Sequence, residues 1–184
     1  MPERAKAEIY TRYPLSSVLI YNGVTILHFL LGGIGVIHGY GFSWAGYLFG
    51  YLYLAFSFAQ MYLLMPFTVC PNCVYYRMKD SLCTSGLNLI SKKITREGDP
   101  RAFPKRAQGL FCHNNLYMAA LFAPTIAIIL ALILNFSFFL LFILLALIGL
   151  LLFRFFVMFA KIACLHCSAK YECPNAEPTG VRNM

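Results

Sequence analysis

Two long stretches without a single charged side chain constrain this chain more than any other feature. No Asp, Glu, Lys or Arg occurs between Arg12 and Arg77, and none occurs between Arg106 and Arg154. One helix needs about 20 apolar residues to cross about 30 Å of hydrocarbon, so each stretch is long enough for two passes. Soluble domains carry roughly 25% charged residues. Here 12% are charged and 60% are hydrophobic, which argues against a water-soluble fold.

Turn residues divide both stretches. The first breaks at His38-Gly39-Tyr40-Gly41-Phe42-Ser43, just before Trp44 and Tyr47, aromatics of the kind that sit at a membrane interface. The second breaks at Asn135-Phe136-Ser137. The pattern predicts spans over 15–37, 44–69, 115–134 and 138–163. The expected fold is an all-α integral membrane four-helix bundle made of two transmembrane hairpins. Its segments are an N-terminal piece 1–14, hairpin 15–69, a Cys-containing basic loop 70–114, hairpin 115–163 and a Cys-containing tail 164–184. The first apolar run is too long for the core of a signal peptide and has no clear small-residue cleavage site, so it reads as a retained helix.

An even number of passes puts both termini and the central loop on one side. Residues 77–106 carry Arg77, Lys79, Lys92, Lys93, Arg96, Arg101, Lys105 and Arg106 against three acids, whereas the two hairpin turns carry no charge. By the positive-inside rule this face is cytoplasmic, which places the protein in a cell (inner) membrane with both termini cytoplasmic. The net charge of +8 is then accounted for by topology and by attraction to anionic headgroups, not by nucleic-acid binding. Within the loop, 87–95 reads as a short amphipathic helix on the membrane surface. Leu87, Leu89, Ile90 and Ile94 are expected to face lipid, with Lys92 and Lys93 facing water.

Each half of the chain is a hairpin whose second helix runs into a Cys-x-x-Cys. The first half gives Cys70-Pro71-Asn72-Cys73 and then Cys83; the second gives Cys164-Leu165-His166-Cys167 and then Cys173-Pro174-Asn175. Cys112 stands beside His113 where the third span begins. All seven cysteines are thereby predicted at one side and one depth, with none in the membrane interior. In a reducing cytosol such thiols read as metal ligands or redox groups more readily than as structural disulfides.

Two Cys-x-x-Cys turns can complete a tetrathiolate site, because each brings two sulfurs toward one ion. The spacing leaves two ligand partitions open. Cys70, Cys73, Cys164 and Cys167 converge on one ion in the first. In the second each tail forms its own centre, from Cys70, Cys73, Cys83 and Cys112 on one side and Cys164, Cys167, Cys173 and a histidine or partner ligand on the other, with His113 as a further candidate. The cofactors implied are an iron-sulfur cluster or zinc. Neither spacing matches the standard ferredoxin runs.

A small bundle with Cys-x-x-Cys at a helix end and further cysteines in a loop resembles, in architecture, the vitamin K epoxide reductase and DsbB families of thiol-quinone oxidoreductases. Those families keep their reactive cysteines on the oxidising side and lack the doubled motif, so none of their residue roles is carried onto this chain. What the resemblance implies is thiol-disulfide exchange linked to quinone.

Three further features bear on function. Arg154 lies ten residues before Cys164, roughly 15 Å deeper at about 1.5 Å per residue, where it is expected to snorkel toward the interface or to contact a cofactor such as quinone. His28 is expected as a hydrogen-bonded core residue or a participant in quinone chemistry, and His38 as an interfacial turn residue. Gly32, Gly33, Gly35 and Gly39 make a small-residue face on the first span, and Gly46 and Gly50 make another on the second. The tyrosines and Gln60 of the second span suggest that it lines a cavity, while the Leu/Phe-rich fourth span is expected to face lipid.

There is no nucleotide-binding glycine loop and no nucleophile elbow. The leading expectation is a membrane subunit holding a cysteine-ligated metal or iron-sulfur centre and passing electrons between a soluble partner and quinone, as part of a complex or homo-oligomer. A quinone-linked thiol-disulfide oxidoreductase and a soft-metal transporter are the alternatives.

Overall fold

A computed structural model of the protein describes residues 7–176 and 179–182. The outer parts of the predicted 1–14 and 164–184 segments lie outside the described residues. Within them the chain is helical, with two isolated backbone bridges and no strand. Four helices are long and apolar enough to cross a membrane, over Leu15–Gly39, Trp44–Asn72, His113–Leu134 and Phe138–Ala163. The protein is a multi-pass membrane protein built as an all-α bundle.

Helix α1 is Leu15–Gly39. Helix α2 starts at Trp44, where the Ser43 hydroxyl accepts the Gly46 N–H at 3.1 Å and satisfies one of the free amides of the first turn. It is α-helical to Phe58, widens into a π-helical turn over Ala59–Leu64, resumes over Met65–Thr68 and ends in the tight turn Cys70–Asn72. Pro66 lacks an N–H and its ring crowds the carbonyl four residues earlier, so the wider turn ahead of it relieves that conflict. Two short helices follow in the loop, α3 over Val74–Arg77 and α4 over Leu87–Ile94. Helix α5 is His113–Leu134, and α6 is Phe138–Leu152, continued by a π-helical segment Phe153–Ala163.

Helix α1 is the axis of the bundle, because its glycines let a different neighbour in on each side. A Cβ at Gly33 would lie 2.7 Å from Leu54 of α2, one at Gly32 would lie 2.8 Å from Pro124 of α5, and one at Gly39 would lie 3.3 Å from Leu140 of α6. The second span lines crevices as expected, through Phe49 and Tyr53 on one side and Thr68 and Asn72 on another. The second span is the one most turned to lipid, with 22% of its most apolar window buried, against 33% for the fourth and 44% for α1. Its tyrosines are consistent with an interfacial and lipid-facing helix as much as with a cavity wall.

Pro124 inside α5 leaves the Ala120 carbonyl without its usual amide partner, and the Tyr53 hydroxyl donates to that carbonyl at 3.0 Å. Next to it His28 Nε2 meets the Leu121 carbonyl at 3.0 Å. At the opposite end of the molecule from the cysteines, the His38 ring packs between Phe42 and Phe139, with centroids 5.3 and 4.9 Å away, and ties the two hairpin turns together.

Helix α4 lies where the amphipathic pattern puts it, with two corrections. Leu87 is buried against the bundle, not turned outward, while Leu89, Ile90 and Ile94 remain exposed. Lys92 folds back so that its Nζ donates to the Met78 carbonyl at 2.7 Å. The helix is pinned by Ser91, whose hydroxyl donates to the Pro66 carbonyl at 2.7 Å, an acceptor at the last turn of α2.

Candidate functional site

The two Cys-x-x-Cys segments fold into the same local shape. In the first, the Cys73 N–H donates to the Cys70 carbonyl at 3.1 Å; in the second, the Cys167 N–H donates to the Cys164 carbonyl at 3.3 Å. Pro71 suits the first turn because its φ is fixed and no amide is needed there. Helices α2 and α6 deliver both turns to one end of the bundle. Cys70 is buried in an apolar cluster on which Cys164 also packs, with Met158 and Ala163 between them. One layer further out, Cys73, Cys167 and Cys173 pack around Val69, Phe103 and Ala169. Phe103, from the 3₁₀ segment Pro100–Ala107, is the wedge that fills the space between the tails.

The described N-terminal segment sews this layer together. The Tyr10 N–H donates to the His166 carbonyl at 2.9 Å, and its ring stacks on His166 with centroids 4.5 Å apart. Tyr13 donates its N–H to the Leu82 carbonyl at 2.9 Å and its hydroxyl to the Ala163 carbonyl, with its ring buried. The Tyr75 hydroxyl donates to the Tyr10 carbonyl at 2.6 Å and accepts the Ser168 N–H at 3.1 Å. The first half's cysteine turn, the second half's, and the chain before α1 therefore meet at Tyr75.

All seven cysteines are free thiols. Burial pushes Cys73 and Cys164 up to about 12 and Cys167 up to about 11. Neighbouring sulfurs push the same way, Cys167 and Cys83 on Cys73, Cys167 and Cys173 on Cys164, and Cys173 and Cys83 on Cys167, which places these five sulfurs in one electrostatic neighbourhood. Burial disfavours the thiolate form, and the Arg106 charge beside Cys73 and Cys164 opposes that only in part. Among the described residues no three His, Cys, Asp or Glu side chains are already gathered in a geometry that holds a metal ion.

Cys83 lies in the loop, its N–H donating to Asn88 Oδ1 at 3.1 Å and its sulfur 3.4 Å from the Ser85 hydroxyl. Cys112 caps α5, accepting the Asn115 N–H at 3.5 Å. His113 is buried beside it and lines a cleft of about 400 Å³ with Thr68, Asn72, Phe103, Lys105 and Arg106. His113 thus lines a basic cleft, and Cys112 is its neighbour at the cap of α5.

Arg154 does not snorkel. It is fully buried in the bundle, where Nη2 donates to Thr25 Oγ1 at 3.1 Å and Nη1 to the Tyr117 hydroxyl, with the guanidinium 5.6 Å above the Tyr117 ring. His28 is likewise fully buried. Sequence reasoning missed Tyr10, Tyr13, Tyr75 and Phe103 as parts of the cysteine face. The only signal was the run of tyrosines ahead of the first span.

The fold and this end face define the class, a multi-pass helical membrane protein with a buried layer of free thiols at one end. Compared with known proteins, the chain matches no family model, no curated protein sequence and no solved structure.

Proposed function

We propose that the thiol layer is a metal site, iron-sulfur or zinc, on the cytoplasmic side of a cell membrane, and that the protein passes electrons between a soluble partner and quinone. The observation that carries this reading is the meeting of thiols from two separate helix ends in two packed clusters at one end of the bundle. The donor set suits a soft or borderline ion, because thiolate ligands select such metals. The protonated state of the buried thiols fits as well: a cation supplies the remaining counter-charge and displaces the protons, whereas a thiol near 12 gives little free thiolate for nucleophilic exchange at neutral pH. Bound there, the group would supply a one-electron carrier or a structural clamp. Holding it would require Cys73, Cys164 and Cys167 to draw together, with Cys70, Cys83 and Cys173 as further ligand candidates.

The basic loop supports a cytoplasmic orientation by the positive-inside rule. Its exposed Lys and Arg residues would also attract an acidic partner. Metal, iron and acid-labile sulfide determinations on anaerobically purified protein, with an ultraviolet-visible spectrum, test the proposal. Expected is at least one metal per chain, lost in Cys73→Ser and Cys167→Ser. Protein that carries no metal and takes up neither zinc nor a reconstituted cluster overturns it.

One observation favours a second reading. Since no three donors converge among the described residues, chemistry needing only two sulfurs at a time is also served, as in a quinone-linked thiol-disulfide oxidoreductase. A mixed disulfide that accumulates when Cys70 or Cys164 is replaced by Ser would support it over the metal site.

A further inference from the structure

A second concentration of polar chemistry lies deep in the bundle. Gln60 stands ten residues before Cys70, as Arg154 stands ten residues before Cys164, so the two halves place one strongly polar side chain at matching depth. Both fall in the π-helical segments, Ala59–Leu64 and Phe153–Ala163. Such wide turns cluster at functional sites, because they turn side chains out of the regular helical register.

The polar atoms at this depth are not satisfied. Arg154 Nε, both amide atoms of Gln60 and His28 Nδ1 are buried and have no hydrogen-bond partner among the described residues. Arg154, Gln60, Ser57 and His28 are all fully buried. Native interiors pair some 90% or more of such groups, so this many orphans from three spans call for an absent polar partner. The guanidinium's two contacts, Thr25 and Tyr117, are neutral, and none of the four spans contains an Asp or Glu. A buried charge of this kind needs an acceptor.

A crevice at the bundle surface shares Tyr53 with this region. An apolar crevice of about 290 Å³ lies between α1, α2 and α5, lined by Val36, Tyr40, Phe49, Tyr53, Pro124 and Ala127. Phe49 at its rim is exposed. Tyr53, on its inner wall, lies one turn before Ser57 and within electrostatic range of Arg154, as does His28.

We propose that this interior binds the oxygen-bearing head of a quinone-type lipid, with Arg154 and Gln60 donating to its ring oxygens and the tail lying in the crevice. The choice of a redox lipid over other lipophilic oxygen acceptors rests on the electron-transfer reading above. A ring with oxygens at opposite ends matches donors on α2 and α6, and its neutral head passes an apolar crevice that an inorganic ion would not enter.

Photolabelling of the full chain in phosphatidylcholine nanodiscs with an azido-quinone, followed by peptide mapping, tests the proposal. Label is expected on residues of α1, α2 or α5 around Tyr53, competed by decyl-quinone. Arg154→Met should weaken competition by roughly tenfold or more, since a charge-assisted hydrogen bond in a low-dielectric site is lost. Ala123 also lines the crevice; Ala123→Phe, which narrows it and leaves Arg154 in place, should also reduce labelling and serves if Arg154→Met fails to fold. Label confined to the lipid-facing surface, or displaced by oleate but not by decyl-quinone, overturns the proposal. Competed labelling in protein without metal would uphold the site while rejecting the thiol-metal reading.

Discussion

The hydroxyl of Tyr75 accepts the backbone N–H of Ser168 at 3.1 Å, joining the residue two places after Cys73 to the residue one place after Cys167. The same oxygen donates to the Tyr10 carbonyl at 2.6 Å. Tyr75→Phe removes one atom and breaks both links, leaving the half-buried Ser168 amide without its acceptor and the Tyr10 carbonyl with only the Ser168 hydroxyl at 3.2 Å. We expect a loss of about 1–3 kcal/mol in unfolding experiments in detergent. Maleimide labelling of Cys73 and Cys167 should become faster, while helical content is unchanged.

The buried thiols give stability a defined alkaline dependence. The ordinary thiol value of about 9 is raised to about 12 in Cys73 and Cys164 and about 11 in Cys167. The folded chain therefore holds more protons than the unfolded one above about pH 9. Stability from these groups is fully present below that pH and falls as pH rises toward 11–12. Denaturant midpoints measured from pH 8 to pH 11 in metal-free protein should decline, and a Cys73→Ser/Cys164→Ser/Cys167→Ser variant should show a shallower decline. An equal slope in both would reject the assignment.

Two glycines with opposite surroundings make a paired test. A Cβ at Gly46 would lie 3.1 Å from the Ile37 carbonyl oxygen, a backbone atom that cannot move aside, whereas nothing lies within 4 Å of a Cβ at Gly149. Gly46→Ala should destabilise the hairpin by about 1–3 kcal/mol. Gly149→Ala should be neutral or stabilising by up to about 1 kcal/mol, since Ala is the better helix residue. Thermal unfolding of both variants in the same detergent checks the contrast.

Ser91→Ala removes the one side-chain bond that ties α4 to the Pro66 carbonyl. The cost should be about 1 kcal/mol. Its signature is local: hydrogen exchange across 87–94 should accelerate while the four spans stay protected.

The charge-free stretches made the four spans legible because a bilayer punishes charge so strongly that length and composition alone locate a helix. The fourth span ends at Ala163, as the pattern predicts, and the third starts two residues before the predicted 115. Which span would be central was not legible. Helix α1 is the axis because its glycines receive Leu54, Pro124 and Leu140 from three directions, and a list of small residues does not say how many neighbours they admit. At the cysteine face, the two motifs and their shared end followed from spacing. The stitching by Tyr10, Tyr13 and Tyr75 did not, since these bonds join residues up to 158 positions apart and leave no periodic trace. Arg154 was visible as an anomaly in the sequence, yet its withdrawal from the interface depends on Thr25 and Tyr117, which look like ordinary span residues.

The bridge between Tyr10 and Cys167 has a consequence for biogenesis. Residues 11–13 pair with Leu82 of the central loop, but the backbone that Tyr10 pairs with follows Phe138–Ala163 in the chain. Without that segment in place, Tyr10 lacks both the acceptor for its amide and the His166 ring that it stacks on. The seam at Tyr10 therefore closes only when both hairpins are in place, which makes it a reporter of whether the two halves have met.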